Sequence, residues 1–567
     1  MKTNIRKTIL TGIMTCLSVI VAWADIPIDE AHFPDAGFRT WLRGQIYGFD
    51  GVITDAEINN IFVVGVSNSD DCEVYNVKGI EYFTSMTSLS VPATVDAVDV
   101  SVCPQLESLC VSLWGNSEMT SIDLSHNPLL KEFICVGSAI RHLDLTNNPL
   151  LTDLFVNDCE QLETMDISNC KKLVDLRCDK TKLSSIDVSN CKDLYQFNCF
   201  DCPNLTSIKV TGCEKLCYFR CWDTPVASID VSTWKALAEY LCDRTNMTKL
   251  DLTPNGGITV LTCTGGKLTE VILPNSLVLD IQCQDNPQLA TLTIPGNAHL
   301  NTLNFSNTQV STVDLTSSVL LYELLCNNTK ISSLDVTHCP LISNLECTNT
   351  PLRTLDLSQG TDLDRVILND NQLTELKMPA SCKLVTLDCQ NNKLATLDLT
   401  GCRQMQVLNC QNNRLTSLLM PAPIVYPDDY PDYRYELYEV NIADNQLKGA
   451  AVDAIIDKLP QKEYEGYEFK VYDSTTDYEG NIITTTQVAA AKAKNWTALY
   501  CYFIDPTNPD PLLRTTWGSY DGYDPSGIQQ TRIDKEGIFY TLGGTRLQGQ
   551  PARKGVYIRN NKKVLVR

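Results

Sequence analysis

The side chains best able to do chemistry in this chain are its thiols and carboxylates. Cys199, Cys202, Cys213, Cys217 and Cys221 join a Cys-x2-Cys pair to a second cysteine cluster, the kind of spacing with which thiolates surround zinc. Residues 46–57, IYGFDGVITDAE, match the later part of a calcium-binding EF-hand loop, with Asp50, Gly51, Ile53 and Glu57 at the fifth, sixth, eighth and twelfth positions. Ile46 and Gly48 stand where the first and third ligands belong, so the stretch reads as a turn into an N-terminal cap, with weak calcium binding as the alternative. The histidines (His32, His126, His142, His299, His338) are scattered singly, and no zinc-protease, serine-hydrolase or phosphate-loop phrase occurs. Gly265-Gly266-Lys267 continues into Leu268 and belongs to a turn. No catalytic residue, metal or cofactor is assigned, and the expectation is a non-enzyme.

What positions these residues is a repeat. The stretch 173–199, LVDLRCDKTKLSSIDVSNCKDLYQFNC, contains L-x-x-L-x-C-x-x-T-x-L-x-x-I-D-V-S and then begins again. The apolar or Cys position closing the first phrase recurs at 135, 156, 178, 199, 221, 242, 263, 283, 305, 326, 347, 368, 389 and 410 at steps of 20 to 22, and once more at Ile442. One such coil cannot bury its apolar stripe alone, but stacked coils share a continuous core and a parallel strand ladder.

The repeat reassigns the thiols. Eleven of these 15 rungs are Cys (135, 178, 199, 221, 242, 263, 283, 326, 347, 389 and 410), and a residue repeated once per coil on one strand face points inward, where Cys packs as a small apolar group. Export would favour disulfides, but parallel in-register Cβ vectors do not converge as a disulfide requires. Cys202 takes the following turn, and Cys170, Cys191, Cys213, Cys339 and Cys402 take the turn after the opposite strand; of the cluster from Cys199 to Cys221, Cys217 alone is left without a place. That opposite strand carries an outward row of Asp99, Asp123, Asp144, Asp166, Asp187, Asp230, Asp251, Asp314, Asp335, Asp356 and Asp398, interrupted by Lys209 and Lys377. Stacked carboxylates repel, so they face solvent with Ser or Thr neighbours, or else collect Ca²⁺ or a cationic partner.

These phrases resemble the leucine-rich-repeat consensus L-x-x-L-x-L-x-x-N-x-L, with Cys for the third Leu and Thr or Asn at the turn (Thr181, Thr224, Thr329, Asn371, Asn392, Asn413, Asn445). The L-x-C-x-x-N and L-D-L-S alternation is similar to secreted, internalin-like bacterial repeat proteins. The resemblance implies a leucine-rich-repeat solenoid, mainly parallel β with short turns, and a binding rather than catalytic role, with the turn Asn and Thr residues bonding backbone between coils.

Lys2, Arg6 and Lys7, an apolar run over residues 9–21 and Ala22-Trp23-Ala24 form a signal peptide, residues 1–24, cut after Ala24. Residues 25–82 read as an N-terminal cap with an amphipathic helix from Pro34 to Gln45, 83–450 as the solenoid with an insertion near 421–438, 451–503 as a C-terminal cap and 504–530 as a linker. The β-rich tail, 531–567, resembles the carboxy-terminal sorting signal of type IX secretion substrates: Tyr540, Leu542, Gly544 and Arg546, then Lys554 to Ile558, then Lys562 to Arg567. That resemblance implies an export machinery as partner and a secreted or outer-surface location; a plain terminal hairpin is the alternative. The net charge of −22 argues against nucleic acid, and no segment has the apolar length of a membrane span.

Two places suit a protein or glycan ligand. Residues flanking the rungs leave the ladder on the side repeat proteins use for recognition, and there Phe155, Arg177, Asn198, Phe200, Arg220 and Trp222 supply aromatic and arginine anchors, unless a loop covers them. The insertion offers Tyr426, Tyr430, Tyr433 and Tyr435, with Tyr438 beyond, among Pro and Asp, or is an inert bulge. The expectation is an adhesin or receptor-like surface protein. A surface spacer without a ligand is the alternative, and a surface glycan hydrolase a more distant one.

Overall fold

The computed structural model describes residues 25–69, 72–111, 117–275, 278–423, 437–464, 467–477, 479–504, 515–523, 539–540, 555–559 and 562–566. The expected signal segment, Tyr426, Tyr430, Tyr433, Tyr435 and much of the sorting-like tail lie outside these residues. The chain forms two compact units, residues 1–194 and 195–567, both built as leucine-rich-repeat β solenoid with few helices and about 17 turns between them.

In the first unit the parallel ladder starts at Val63–Gly65 and continues through Ser88–Val91, Ser108–Val111, Glu132–Cys135, Asp153–Phe155 and Asp175–Arg177. It begins earlier than Cys135 because Val91 and Val111 fill the inward position where the periodic cysteine would stand. The N-terminal helix is Ala36–Arg43, started by the Asp35 carboxylate, which accepts from the Phe38 amide at 2.6 Å. The EF-hand-like stretch is part of this cap. Val52–Ile53 pairs with Ile26–Pro27, and the Glu57 carboxylate accepts from the Thr54 amide at 2.8 Å and hydroxyl at 2.7 Å in a helix capping box.

In the second unit the ladder runs from Gln196–Asn198 to Trp496–Phe503, where antiparallel Thr515–Ser519 covers the last strand. The 32-residue step leaves register intact, since Leu408 pairs with Val440. Helices Ala450–Lys458 and Thr485–Lys492 pack at this end. In the tail, Phe539–Tyr540, Gly555–Arg559 and Lys562–Val566 form an antiparallel three-stranded sheet.

The inward cysteines are packing. Each of the eleven rung thiols is at most 2% exposed, stacked among residues such as Leu261, Ile281 and Leu303. The turn positions divide the work unevenly. Asn371 donates to the carbonyls of Cys347, one coil back, at 2.6 Å and of its own rung Leu368 at 2.9 Å, whereas Thr224 and Thr329 reach their own rung carbonyls, Cys221 at 2.7 Å and Cys326 at 2.9 Å. The expectation of bonds between coils therefore holds for the amide side chain, which is long enough to bridge. Cysteine also serves there: the Cys159 thiol donates to the Cys135 carbonyl at 3.0 Å.

Two further columns make each coil turn. The second residue after each rung, from Gly137, Asp158 and Lys180 through Asp201, Asp223, Arg244, Gly265, Asp285, Asn307, Asn328, Asn349, Asp370, Asn391 and Asn412 to Asp444, has φ between 51° and 67°. Asn, Asp and Gly tolerate that left-handed conformation best. Where a basic residue occupies it, the preceding coil supplies a carboxylate: Lys180 Nζ lies 2.8 Å from Asp158, and Arg244 Nε 2.6 Å from Asp223. The outward aspartates form the other column. Each accepts on one carboxylate oxygen from the amide two residues on, as Asp335 does from Thr337 at 3.0 Å and from its hydroxyl at 2.6 Å. The row therefore closes turns at the solvent edge, and hydrogen bonding holds Asp335 and its neighbours below the usual carboxylate range.

Candidate interaction surface

Strand alternation decides what the ladder shows to solvent. In Gln196-Phe197-Asn198-Cys199-Phe200, Phe197 and Cys199 point inward, so Gln196, Asn198 and Phe200 face out, and the same alternation puts Tyr218, Arg220 and Trp222 outward one coil later. Parallel register then stacks like on like.

The Phe200 and Trp222 rings stack with centroids 3.9 Å apart and planes 12° from parallel, both half-buried, so part of each ring meets solvent. Beside them Arg220 Nε sits 2.6 Å from Glu239, which fixes the guanidinium against the face. Asn198 lies on the same face but is almost fully buried.

Tyr195, 46% exposed, and Tyr218 meet edge-on at 5.4 Å at the other border of this patch. Hydrogen bonding with Cys217 and Tyr218 pushes the Tyr195 phenol up to about 12. This places Cys217, the one member of the 199–221 cluster outside both repeating columns: it stands one residue before its strand, half-exposed, beside the Tyr195 hydroxyl. Sequence reasoning passed over both tyrosines, although their positions, just before and at the start of the x-L-x-C phrase, were visible signals.

Phe155 and Arg177 form their own pair in the first unit. The guanidinium carbon lies 4.2 Å over the Phe155 ring, and the same group holds Asp175 at 2.8 Å. Asp179 nearby is 5% exposed, and burial pushes its carboxyl up to about 6. The candidate residues thus gather as Phe155 with Arg177 in one unit and Phe200, Arg220 and Trp222 in the other.

The zinc-like cysteines separate. Cys199 and Cys221 are rungs, while Cys202 and Cys213 lie in two different turns. Among the described residues no group of three or more His, Cys, Asp or Glu is arranged to hold a metal ion, and no helix is long and apolar enough to cross a membrane.

No family model matches the sequence, and no curated protein matches it. Solved structures do. The functional domain of InlJ from Listeria monocytogenes, described as including a cysteine ladder, superposes with a TM-score of 0.50 at 20% identity over 96% of this chain and 98% of that one. YopM from Yersinia enterocolitica gives a TM-score of 0.51 at 17% identity over 78% of this chain and 81% of that one. These likenesses establish the leucine-rich-repeat fold.

Proposed function

We propose that this chain is an exported, non-catalytic cell-surface binding protein, adhesin-like or receptor-like, that recognises a protein or glycan with the outward face of its leucine-rich repeats. The Phe200–Trp222 stack carries the reading. Two large rings stacked on each other and partly open to solvent, with an ion-paired arginine alongside, give a rigid apolar platform with a polar edge, the composition of binding hot spots. Solvated single apolar residues need no explanation, but here the partly exposed aromatics are grouped and held by one another. The internalin-like resemblance of the repeat supports a recognition role. The segment over residues 1–24 supports export, and the tail phrases around Tyr540 and Lys554 support delivery to the outer surface by a type IX-like machinery.

The test is binding of the full chain and its Phe200→Ala/Trp222→Ala variant to a glycan array and to a panel of purified surface-protein ectodomains. The expected result is at least one saturable ligand whose affinity falls about 30-fold or more in the variant, while thermal unfolding changes little. A ligand bound equally by both proteins removes the platform from the reading. A parent that binds nothing and self-associates instead makes the protein a spacer.

A further inference from the structure

The structure assigns Cys382 and Cys402 to a disulfide that staples two successive coils ahead of the insertion near 421–438. Their Sγ atoms are 3.2 Å apart, closer than non-bonded sulfurs ordinarily rest and about 1.2 Å longer than a disulfide bond. Aligning Leu376 with Leu397 puts Ser381, not Cys382, in register with Cys402, so Cys382 falls outside the inward ladder and outside the turn column. The parallel-vector argument that keeps rung thiols apart therefore does not apply to it.

The backbone holds the pair together. The Cys382 amide donates to the Gly401 carbonyl at 3.2 Å, one residue from Cys402. A Cβ at Gly401 would collide with the Pro379 carbonyl oxygen and lie 2.7 Å from that of Ala380, so glycine is what lets the coils approach this closely. Other cysteines of the turn column behave differently: the Cys170 thiol donates to the Leu145 carbonyl at 3.4 Å, whereas the Cys402 contact is to sulfur. Cys382 is the more accessible partner, 8% exposed against 0%, and the contact with Cys402 pulls it below the ordinary thiol range while pushing Cys402 up.

The chemistry is thiol–disulfide exchange with a small-molecule or protein disulfide as oxidant. Cys382 as thiolate attacks one sulfur of the oxidant and expels the other as a thiolate. Cys402 then loses its proton, attacks Cys382 Sγ and expels the second thiolate. Two cysteine thiols are oxidised, one disulfide is reduced to two thiols, and both protein protons end on the released thiols at neutral pH.

Trypsin makes the test direct, because Cys382 falls in the peptide Met378–Lys383 and Cys402 in Leu394–Arg403, while rung Cys389 lies in the peptide between. The folded full chain is incubated with glutathione disulfide, denatured with N-ethylmaleimide present, digested without reductant and analysed by mass. The expected species is the two peptides linked, lighter by two hydrogens than their sum, lost on reduction. Cys382→Ser must abolish it and return Cys402 alkylated, and Gly401→Ala must reduce its yield. Recovery of both peptides alkylated, or linkage of either to another cysteine peptide, overturns the assignment.

Discussion

The Asn328 side-chain amide donates to the Asn307 side-chain carbonyl at 2.6 Å, one coil back, while both residues hold left-handed backbone at φ 56° and 59°. Asn349 continues the chain onto Asn328 at 2.8 Å, and Asn307 ends it on Asp285 at 2.6 Å. The residue that permits the turn thus also ties the coils. Asn328→Gly keeps the turn and loses the tie, whereas Asn328→Ala loses both. Equilibrium denaturation should show glycine costing about 1 kcal/mol and alanine about 1–2 kcal/mol more. Equal costs would show that the left-handed strain is relieved elsewhere.

What could be read from sequence was what repeats at a fixed step with a fixed chemistry: the inward Cys and Leu, the Asn at the turn, the row of Asp. The left-handed column was equally periodic but went unread, because Lys180, Arg244 and Gly265 dilute its Asn and Asp character and the requirement is conformational. The use of each outward Asp was missed for a different reason. Its Ser or Thr partner two residues on was visible, yet only the turn geometry shows the carboxylate spent on its own backbone. Phe200 and Trp222 were legible as outward neighbours, since they sit one residue after successive rungs; that the rings face each other depends on rotamers.

The thiols should differ sharply in reactivity. Cys217 is half-exposed, while Cys221, Cys242 and Cys263 are at most 2% exposed and burial drives their thiols well up, away from the reactive thiolate. Timed labelling of the folded protein with N-ethylmaleimide at pH 8, read by peptide mass, should modify Cys217 before those three. The rung thiols should react only when denaturant is added. Early labelling of Cys242 would mean that the ladder breathes open.

The aspartate turns set an acid limit. Asp314, Asp335 and Asp356 are held low by hydrogen bonds from Thr316, Thr337 and Ser358, so the folded state binds protons less readily than the unfolded chain, whose aspartates titrate near 3.9. Their contribution is present above that value and is lost as pH falls through the lower folded values. Asn at all three positions keeps an acceptor oxygen for the turn but no charge to titrate. The triple variant should therefore show a shallower loss of melting temperature between pH 5 and pH 3. An unchanged slope would place acid sensitivity elsewhere.

Glu479 should give the opposite pH dependence at the C-terminal end of the second unit. Its carboxylate accepts from the amides of Asp444 and Asp473, both at 2.8 Å, and of Asn481 at 2.7 Å, yet burial and the Asp444 charge push it up to about 7. An unfolded glutamate titrates near 4.3, so between about 4.3 and 7 the folded state binds the extra proton and stability falls as pH rises. Protection of the Asp444, Asp473 and Asn481 amides against hydrogen exchange, corrected for intrinsic rates, should therefore be greater at pH 5 than at pH 8. Glu479→Gln, which cannot titrate, should flatten that difference while lowering protection at both values, because its NH2 group must face amide donors. Protection that instead rises toward pH 8 would mean that three backbone donors outweigh burial and hold the carboxylate charged.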